Sequence, residues 1–428
     1  MGPFPDSTTF WRSTHGVAVD VQDKVWISQY YPEPWILPNG DTLKDANGER
    51  IRTSAIHVFN PDGTTAMEPI RSFAFGGTTD TLYWDAKDGP RRDIRGLRRD
   101  HNGDIIVVVG SSASLMMRLN HMTGEVMNKV DLGIGSPAAP GIDGAGNIYV
   151  APVVGSAGPI SYYSADFQPL GVVAEETPGI GRTLEVTADG NTVYWSPFTL
   201  LYTVKYQRPD EFSAFDSAGI VHHGLIAESS VRHPTTGHVW LGHSIAGSLS
   251  LIDTTRFGDP STLLTWYAID PTTDEIVDSL NFGLHQDFGI QKTRAIGFSS
   301  DGTVAYAGLF DIEAMDPRGF PVKKLVRSTA GNIERDPFEI PQRFTLSQNY
   351  PNPFNPQTKI EFELKDAGLT RLTVYDLLGR EVSTLVDEHL SVGKYTATFT
   401  AANLPSGTYL YQLEVTGQRL TGKMLLVK

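Results

Sequence analysis

The 428-residue chain is 40% hydrophobic and 20% charged, enough apolar mass for two or three folded domains, and its longest apolar runs, such as Ile105–Val109, are too short to cross a bilayer as a helix. Of its formal charge of −14, residues 341–428 carry nine Lys/Arg against eight Asp/Glu, leaving 26 against 41 in residues 1–340, an acidic body that repels nucleic acid. The absence of cysteine excludes disulfides, thiolate metal sites and a cysteine nucleophile.

Met1–Phe10 shows no basic start followed by an apolar core, so no signal peptide is visible in this numbering. Beyond it, 42 glycines and 27 prolines punctuate short apolar stretches, which points to an all-β chain. One unit recurs: a strand, a turn rich in Asp, Asn and Gly, then a second strand. It runs through Gly16–Asp20 with Val25–Ser28, Gly96–Asp100 with Ile105–Val109, Pro140–Asp143 with Ile148–Ala151, and Thr183–Thr187 with Thr192–Trp195. Two further copies lie at Ser229–His233 with His238–Leu241 and at Ala295–Ser299 with Thr303–Ala307. The turn glycines Gly103, Gly146, Gly190 and Gly237 are 43, 44 and 47 residues apart, close to the length of one four-stranded propeller blade. This predicts a six-bladed β-propeller over residues 1–335, with seven as the alternative count. Wider gaps of 79 residues (Lys24 to Gly103) and 65 (Gly237 to Gly302) predict insertions around Tyr31–Arg50 and Thr255–Pro271. The propeller rhythm loosely resembles bacterial propellers with streptogramin-lyase-like and NHL-type blades, a resemblance that brings no catalytic signature.

Residues 336–341 read as a linker and residues 342–428 as an immunoglobulin-like β-sandwich. The sandwich opens on the string Asn349, Tyr350, Pro351, Asn352, Pro353, Phe354, Asn355, Pro356. Three prolines fix φ and remove donors, so the string is expected to lie as a rigid edge anchored by Tyr350 and Phe354. With Gly379, Gly407, Tyr409 and Lys423 downstream, this ordered set closely resembles the C-terminal sorting domain of type IX secretion cargo. It is also similar to the immunoglobulin-like domain of the flagellar hook-capping protein. The resemblance implies an export address read by a type IX translocon, and so an extracellular or outer-cell-surface protein.

Aligning the turn glycines puts His15, Arg95, Ala138, Arg182, Glu228 and Arg294 at one equivalent position before the first strand of each unit. Innermost strands line a propeller's axial channel, so these residues are expected to form a ring that binds a carboxylate or sulfate through Arg95, Arg182 and Arg294, with Glu228 among them. As catalysis, His15 would act as general base with Arg182 or Arg294 stabilising an oxyanion and Glu228 as a further candidate, the chemistry of a lyase or hydrolase. Tyr30, Tyr31, Trp35, Tyr83 and Trp84 are candidate stacking or capping aromatics. His222, His223, His233, His238 and His243 lack metal-ligand spacing, and the Asp/Asn turns match turn chemistry better than a calcium loop; no cofactor is implied beyond an incidental calcium ion. The reading that follows is an extracellular binding or structural module, non-enzymatic on balance, whose partners are the translocon and a glycan, protein or small anionic ligand. A propeller lyase or hydrolase and a self-assembling fibre or sheath subunit are the alternatives.

Overall fold

A computed structural model describes residues 2–4, 14–30, 32–37, 39–85, 87–111, 114–153, 158–200, 202–222, 224–244, 264–282, 291–311, 322–326, 333–336, 343–365, 368–390, 393–401, 404–415 and 417–428. These residues form strands and turns. The chain divides into two compact units, the first spanning Met1–Ile276 and Leu280–Val326 and the second including Arg327–Lys428.

The first unit contains six four-stranded antiparallel sheets among the described residues. Blade 1 is Thr14–Val19, Val25–Gln29, Ile56–Phe59 and Thr65–Ile70. Blade 2 is Arg92–Arg99, Ile105–Ser111, Leu115–Leu119 and Val126–Asp131. Blade 3 is Gly141–Ile142, Ile148–Val150, Ile160–Tyr163 and Pro169–Ala174. Blade 4 is Gly181–Val186, Thr192–Pro197, Thr203–Gln207 and Asp216–Val221. Blade 5 is Ala227–Arg232, Val239–His243, Thr265–Ile269 and Ile276–Asn281. Blade 6 is Gln291–Phe298, Val304–Asp311 and Val322–Val326, with its fourth strand supplied from the other end of the chain by Gly2–Pro3. The strand Thr265–Ile269 falls inside the stretch expected to be an insertion, so part of Thr255–Pro271 is blade; residues 245–263 lie outside the described residues.

First strands of successive blades touch, and blade 6 returns to blade 1, so the sheets close around an axis. Second strands such as Ile105–Ser111 are buried between two neighbouring blades, which is why they read as continuous apolar runs rather than alternating ones. The fourth strand of blade 4, Asp216–Val221, is exposed. Apolar clusters join the blades: Trp26, Ile56, Leu97 and Val107 between blades 1 and 2, Tyr149, Leu184 and Trp195 between blades 3 and 4, and Val17, Val25 and Tyr306 between blades 6 and 1.

The repeated turns have a common construction. One carboxylate oxygen of Asp20, Asp100 and Asp143 accepts the backbone N–H groups two and four residues ahead. The other oxygen accepts from Trp26 Nε1 at 3.0 Å, Arg118 Nε at 2.7 Å and Tyr149 Oη at 3.3 Å respectively. These carboxylates are therefore spent on holding turns to blades, as Asx turn chemistry predicts. Among the described residues no three His, Asp or Glu side chains are grouped to hold a metal.

The second unit packs two four-stranded sheets. One orders Ile333–Asp336, Gly393–Thr400, Gln357–Leu364 and Thr345–Leu346; the other orders Glu381–Leu390, Gly368–Tyr375, Gly407–Val415 and Gln418–Leu426. Strict alternation in Gln357–Leu364 sends Ile360, Phe362 and Leu364 into a core shared with Leu372, Val374, Tyr395, Leu413 and Met424. Ile333–Asp336, assigned from sequence to the end of the propeller and the linker, pairs instead with Gly393–Thr400 in this unit.

Candidate functional site

In five of the six first strands the ladder slips by one residue: between Thr14 and Gly16, Ile94 and Gly96, Gly181 and Thr183, Ala227 and Ser229, and Thr293 and Ala295. The skipped residues are His15, Arg95, Arg182, Glu228 and Arg294. Each sits at a β-bulge, a device that re-aims one side chain, and together with Ala139 and Val153 they line one small cavity of about 10 Å³ on the axis. The ring expected from sequence thus forms, with one shift: blade 3 lines the cavity with Ala139 rather than Ala138.

Glu228 is the centre of charge. It is 1% exposed, with Arg294 Nη1 at 3.1 Å, Lys292 Nζ at 2.9 Å and Arg182 Nε at 3.6 Å. Burial alone would raise its carboxyl, but Arg294, Lys292 and Arg182 together overcome that and hold it below the usual range. Arg95 pairs with Asp93 at 3.3 Å, and Asp93 also takes Arg91 at 3.2 Å and the Ser111 hydroxyl at 2.6 Å. Burial lowers Arg294 to about 10 despite the attraction of Glu228, with Arg182 and Arg95 adding repulsion.

His15 lies 3.2 Å through Nδ1 from the Ile94 carbonyl and stacks on Tyr30 at 4.2 Å between centroids. Tyr30 meets Trp84 edge-on, and Arg91 stacks over Trp84 at 4.0 Å, so the stack continues from His15 to Arg91. Tyr31 lies outside the described residues. Burial first, then Arg294, Arg95 and Arg182, hold the imidazole well below its ordinary value of 6.5, so it is neutral at physiological pH. The unfolded chain takes this proton more readily than the folded one, so stability is retained above about pH 6.5 and falls as pH drops below that value. His15→Gln should flatten that acid limb, read as the melting temperature by tryptophan fluorescence from pH 7.5 to pH 5.

Among the clustered histidines, His233 Nε2 lies 3.1 Å from the Gly302 carbonyl and His243 Nδ1 accepts the Ile226 N–H at 3.1 Å; His223 lies outside the described residues. They serve turns and blade edges and do not converge.

A second, larger cavity was not anticipated. About 710 Å³ in volume, it opens where the first strands end in their turns, between Val17–Val19, Arg98, Arg99, Glu185, Arg232 and Phe298. Arg98 is buried and donates to the Leu97 carbonyl at 3.1 Å and to the Ser230 carbonyl, while its Nε lies 3.9 Å from Glu185. Arg232 Nη1 donates to the Val186 carbonyl at 2.8 Å. Burial raises the Glu185 carboxyl above its usual range, against the pull of Arg98 and Arg232, and Oε2 has no hydrogen-bond partner among the described residues. Arg98 and Glu185 stand three positions beyond Arg95 and Arg182, so carrying the same blade alignment one level further along the axis would have found them.

In the second unit the asparagine-proline string is held from both ends. Buried Asn349 donates from Nδ2 to the Pro351 carbonyl at 3.0 Å and to Thr358 Oγ1 at 2.9 Å, while its own N–H is accepted by Tyr411 Oη at 3.1 Å. Asn352 Oδ1 accepts the Leu425 N–H at 2.9 Å, and Asn352 Nδ2 lies 3.4 Å from the Lys423 carbonyl. Phe354, 2% exposed, is buried in the core, and its backbone bridges Leu425 and Val427. Tyr350, expected as an anchor, is 81% exposed; Asn349 anchors in its place, because its amide satisfies two acceptors that a phenol at the next position faces away from. Pro351, Asn352, Pro353, Asn355 and Pro356 are exposed around these anchors. Gly379, at φ +76°, closes the Asp376–Arg380 turn; Gly407 opens its strand opposite Leu426; and Tyr409 donates to the Pro405 carbonyl at 2.8 Å.

Residues 348–428 match the family described as the secretion system C-terminal sorting domain. This segment is a type IX sorting domain. The sorting domain marks the chain as a secreted, cell-surface propeller protein. No curated protein matches the chain. Similar solved structures include a protein of unknown function from Bacteroides caccae, at 13% identity over 68% of this chain and 87% of that one, TM-score 0.44. PorZ of Porphyromonas gingivalis, a surface component of the type IX secretion system, is 9% identical over 97% of this chain and 60% of its own, TM-score 0.45. A luciferin-regenerating enzyme is 8% identical over 75% and 93%, TM-score 0.45. At these levels the likenesses carry no argument about activity.

Proposed function

We propose that the protein is an extracellular binding module whose propeller takes an acidic saccharide unit in the wide axial cavity. The observation that carries this reading is the cavity's composition: about 710 Å³, within the ~300–1,000 Å³ of ordinary ligand sites, with the guanidinium groups of Arg98, Arg99 and Arg232 beside a buried carboxyl whose proton is favoured. Guanidinium forks suit a carboxylate, Glu185 can donate to or accept from a hydroxyl, and Val17, Val231 and Phe298 offer apolar contact for a sugar face. The ring at the other level supports neither the lyase nor the hydrolase reading, since a cavity of about 10 Å³ has no room for a substrate and Glu228 is committed to three cations.

The test is calorimetric titration of the full chain with oligogalacturonate and oligoglucuronate. Binding should be lost, or weakened at least tenfold, in Arg99→Gln and Arg232→Gln, and equal affinity in both variants and wild type would remove the cavity from the proposal. Neutral oligosaccharides of the same length should bind at least tenfold more weakly than the acidic ones.

A further inference from the structure

Between the ring and the wide cavity the first strands close up on one another. The residues at this intermediate level are small, among them Gly16, Gly96, Thr183 and Ser230. A Cβ on Gly16 would lie 2.9 Å from the Leu97 nitrogen and one on Gly96 2.6 Å from the Ala139 Cα, so glycine is what permits the approach. Blades 3 and 4 pair directly, the Ala139 N–H donating to the Arg182 carbonyl at 2.9 Å, and Thr183 Oγ1 lies 2.5 Å from Ser230 Oγ, joining blades 4 and 5. Arg98 then crosses the axis, leaving blade 2 to donate to the Ser230 carbonyl of blade 5, three blades away. The wide cavity and the ring cavity share no lining residue. The ring cavity, about 10 Å³, has room for one water-sized occupant and so for neither the carboxylate nor the sulfate expected from sequence. Among the described residues the wide cavity is therefore blind at its axial end and open at the turns.

The blind end carries two polar groups with unfilled hydrogen-bond capacity. Arg98 uses Nη1 and Nη2 on the Leu97 and Ser230 carbonyls, and its Nε has no acceptor among the described residues. Glu185, 2% exposed, presents Oε2 without a hydrogen-bond partner, 3.9 Å from that Nε. A hydroxyl between them accepts from Nε and bonds Oε2 as donor or acceptor, according to whether the carboxyl is ionised. We infer that the wide cavity recognises the end of an acidic saccharide chain, with the free hydroxyl of the terminal uronate seated between Arg98 and Glu185. This rests on the reading of the cavity as an acidic-saccharide site and adds which part of the chain enters it. A continuous chain cannot thread a cavity with one opening, and an internal residue has a linkage oxygen where a terminal one has a hydroxyl. Arg99 and Arg232, in the same lining, are left for the carboxylate.

The experiment titrates the full chain with oligogalacturonates of increasing length, up to a polymer long enough to span several proteins, by calorimetry with light scattering on the saturated complex. One protein should bind per saccharide chain at every length. Two modified ends identify the terminus: an unsaturated residue of the kind eliminative cleavage leaves, which lacks the hydroxyl at the non-reducing end, and a borohydride-reduced residue, whose ring is opened at the reducing end. One of them should weaken binding about tenfold or more, because buried polar groups are left unsatisfied, and in Glu185→Leu that difference should vanish. Several proteins on each long chain, or equal affinity for intact and both modified chains, would mean that an internal segment lies across the mouth; this overturns the proposal while leaving the cavity a saccharide site. A difference that survives in folded Glu185→Leu places the terminus elsewhere and overturns it too. Absence of binding by every acidic saccharide removes the saccharide reading and this proposal with it. The wild-type comparison of modified ends decides even where Glu185→Leu fails to fold.

Discussion

Glu228→Ala is expected to destabilise the propeller by about 3–5 kcal/mol, the range for removing one partner of a buried charge cluster. The carboxylate pairs with Arg294, Lys292 and Arg182 at once, and its loss removes the one counter-charge that the three cations share. Glu228→Gln keeps the shape and removes the charge, so it should recover little of the loss; full recovery would show that packing rather than charge holds the ring. The measurement is selective by composition. All seven tryptophans lie before residue 327, so tryptophan fluorescence in urea reports the first unit alone. A midpoint unchanged from wild type in both variants would contradict the role assigned to Glu228.

The ring was legible from sequence because blade spacing is regular, so a position counted back from the turn glycine lands on the same level in each blade. What sequence could not supply was the reason these side chains face the axis. A regular ladder would place that level by alternation alone, whereas five bulges re-aim His15, Arg95, Arg182, Glu228 and Arg294. Where the count was least constrained, in blade 3, the first strand is only Gly141–Ile142 and the lining residue moved from Ala138 to Ala139. Short pairings left no signal either: Gly2–Pro3 has too few residues to alternate, yet it completes blade 6. Lys292, two positions before Arg294, reaches Glu228 from outside the level that the turn-glycine count marks. The wide cavity likewise lies off that level, although its Arg98 and Glu185 occupy equivalent positions three residues beyond Arg95 and Arg182. In the sorting domain, the proline string correctly predicted an edge lacking regular pairing. Aromatic character misled the choice of anchor, since a large side chain next to proline is as free to face solvent as the core, and Tyr350 does.

Phe354→Ala is expected to cost the sorting domain about 3–5 kcal/mol, while Tyr350→Ala should change its stability by less than about 0.5 kcal/mol. The two residues lie four positions apart in one string, so the contrast isolates burial from motif membership. Phe354 fills core space beside Phe399, 5.9 Å between ring centroids, and its backbone N–H and carbonyl hold the last strand through Leu425 and Val427. Truncating it opens a cavity under the string and loosens the attachment that keeps Asn349 Nδ2 on Pro351 and Thr358. Limited proteolysis should then cleave the C-terminal unit of Phe354→Ala well below the concentration needed for wild type, with tryptophan fluorescence unchanged because that unit has no tryptophan. In a secreting host the same variant should accumulate inside the outer membrane, as an export address must be folded to be read. Tyr350→Ala keeps the fold, so any export defect it shows belongs to the exposed phenol itself. Equal protease resistance in Phe354→Ala and wild type would mean that the string is held without its buried ring, by the Asn349 and Asn352 hydrogen bonds alone.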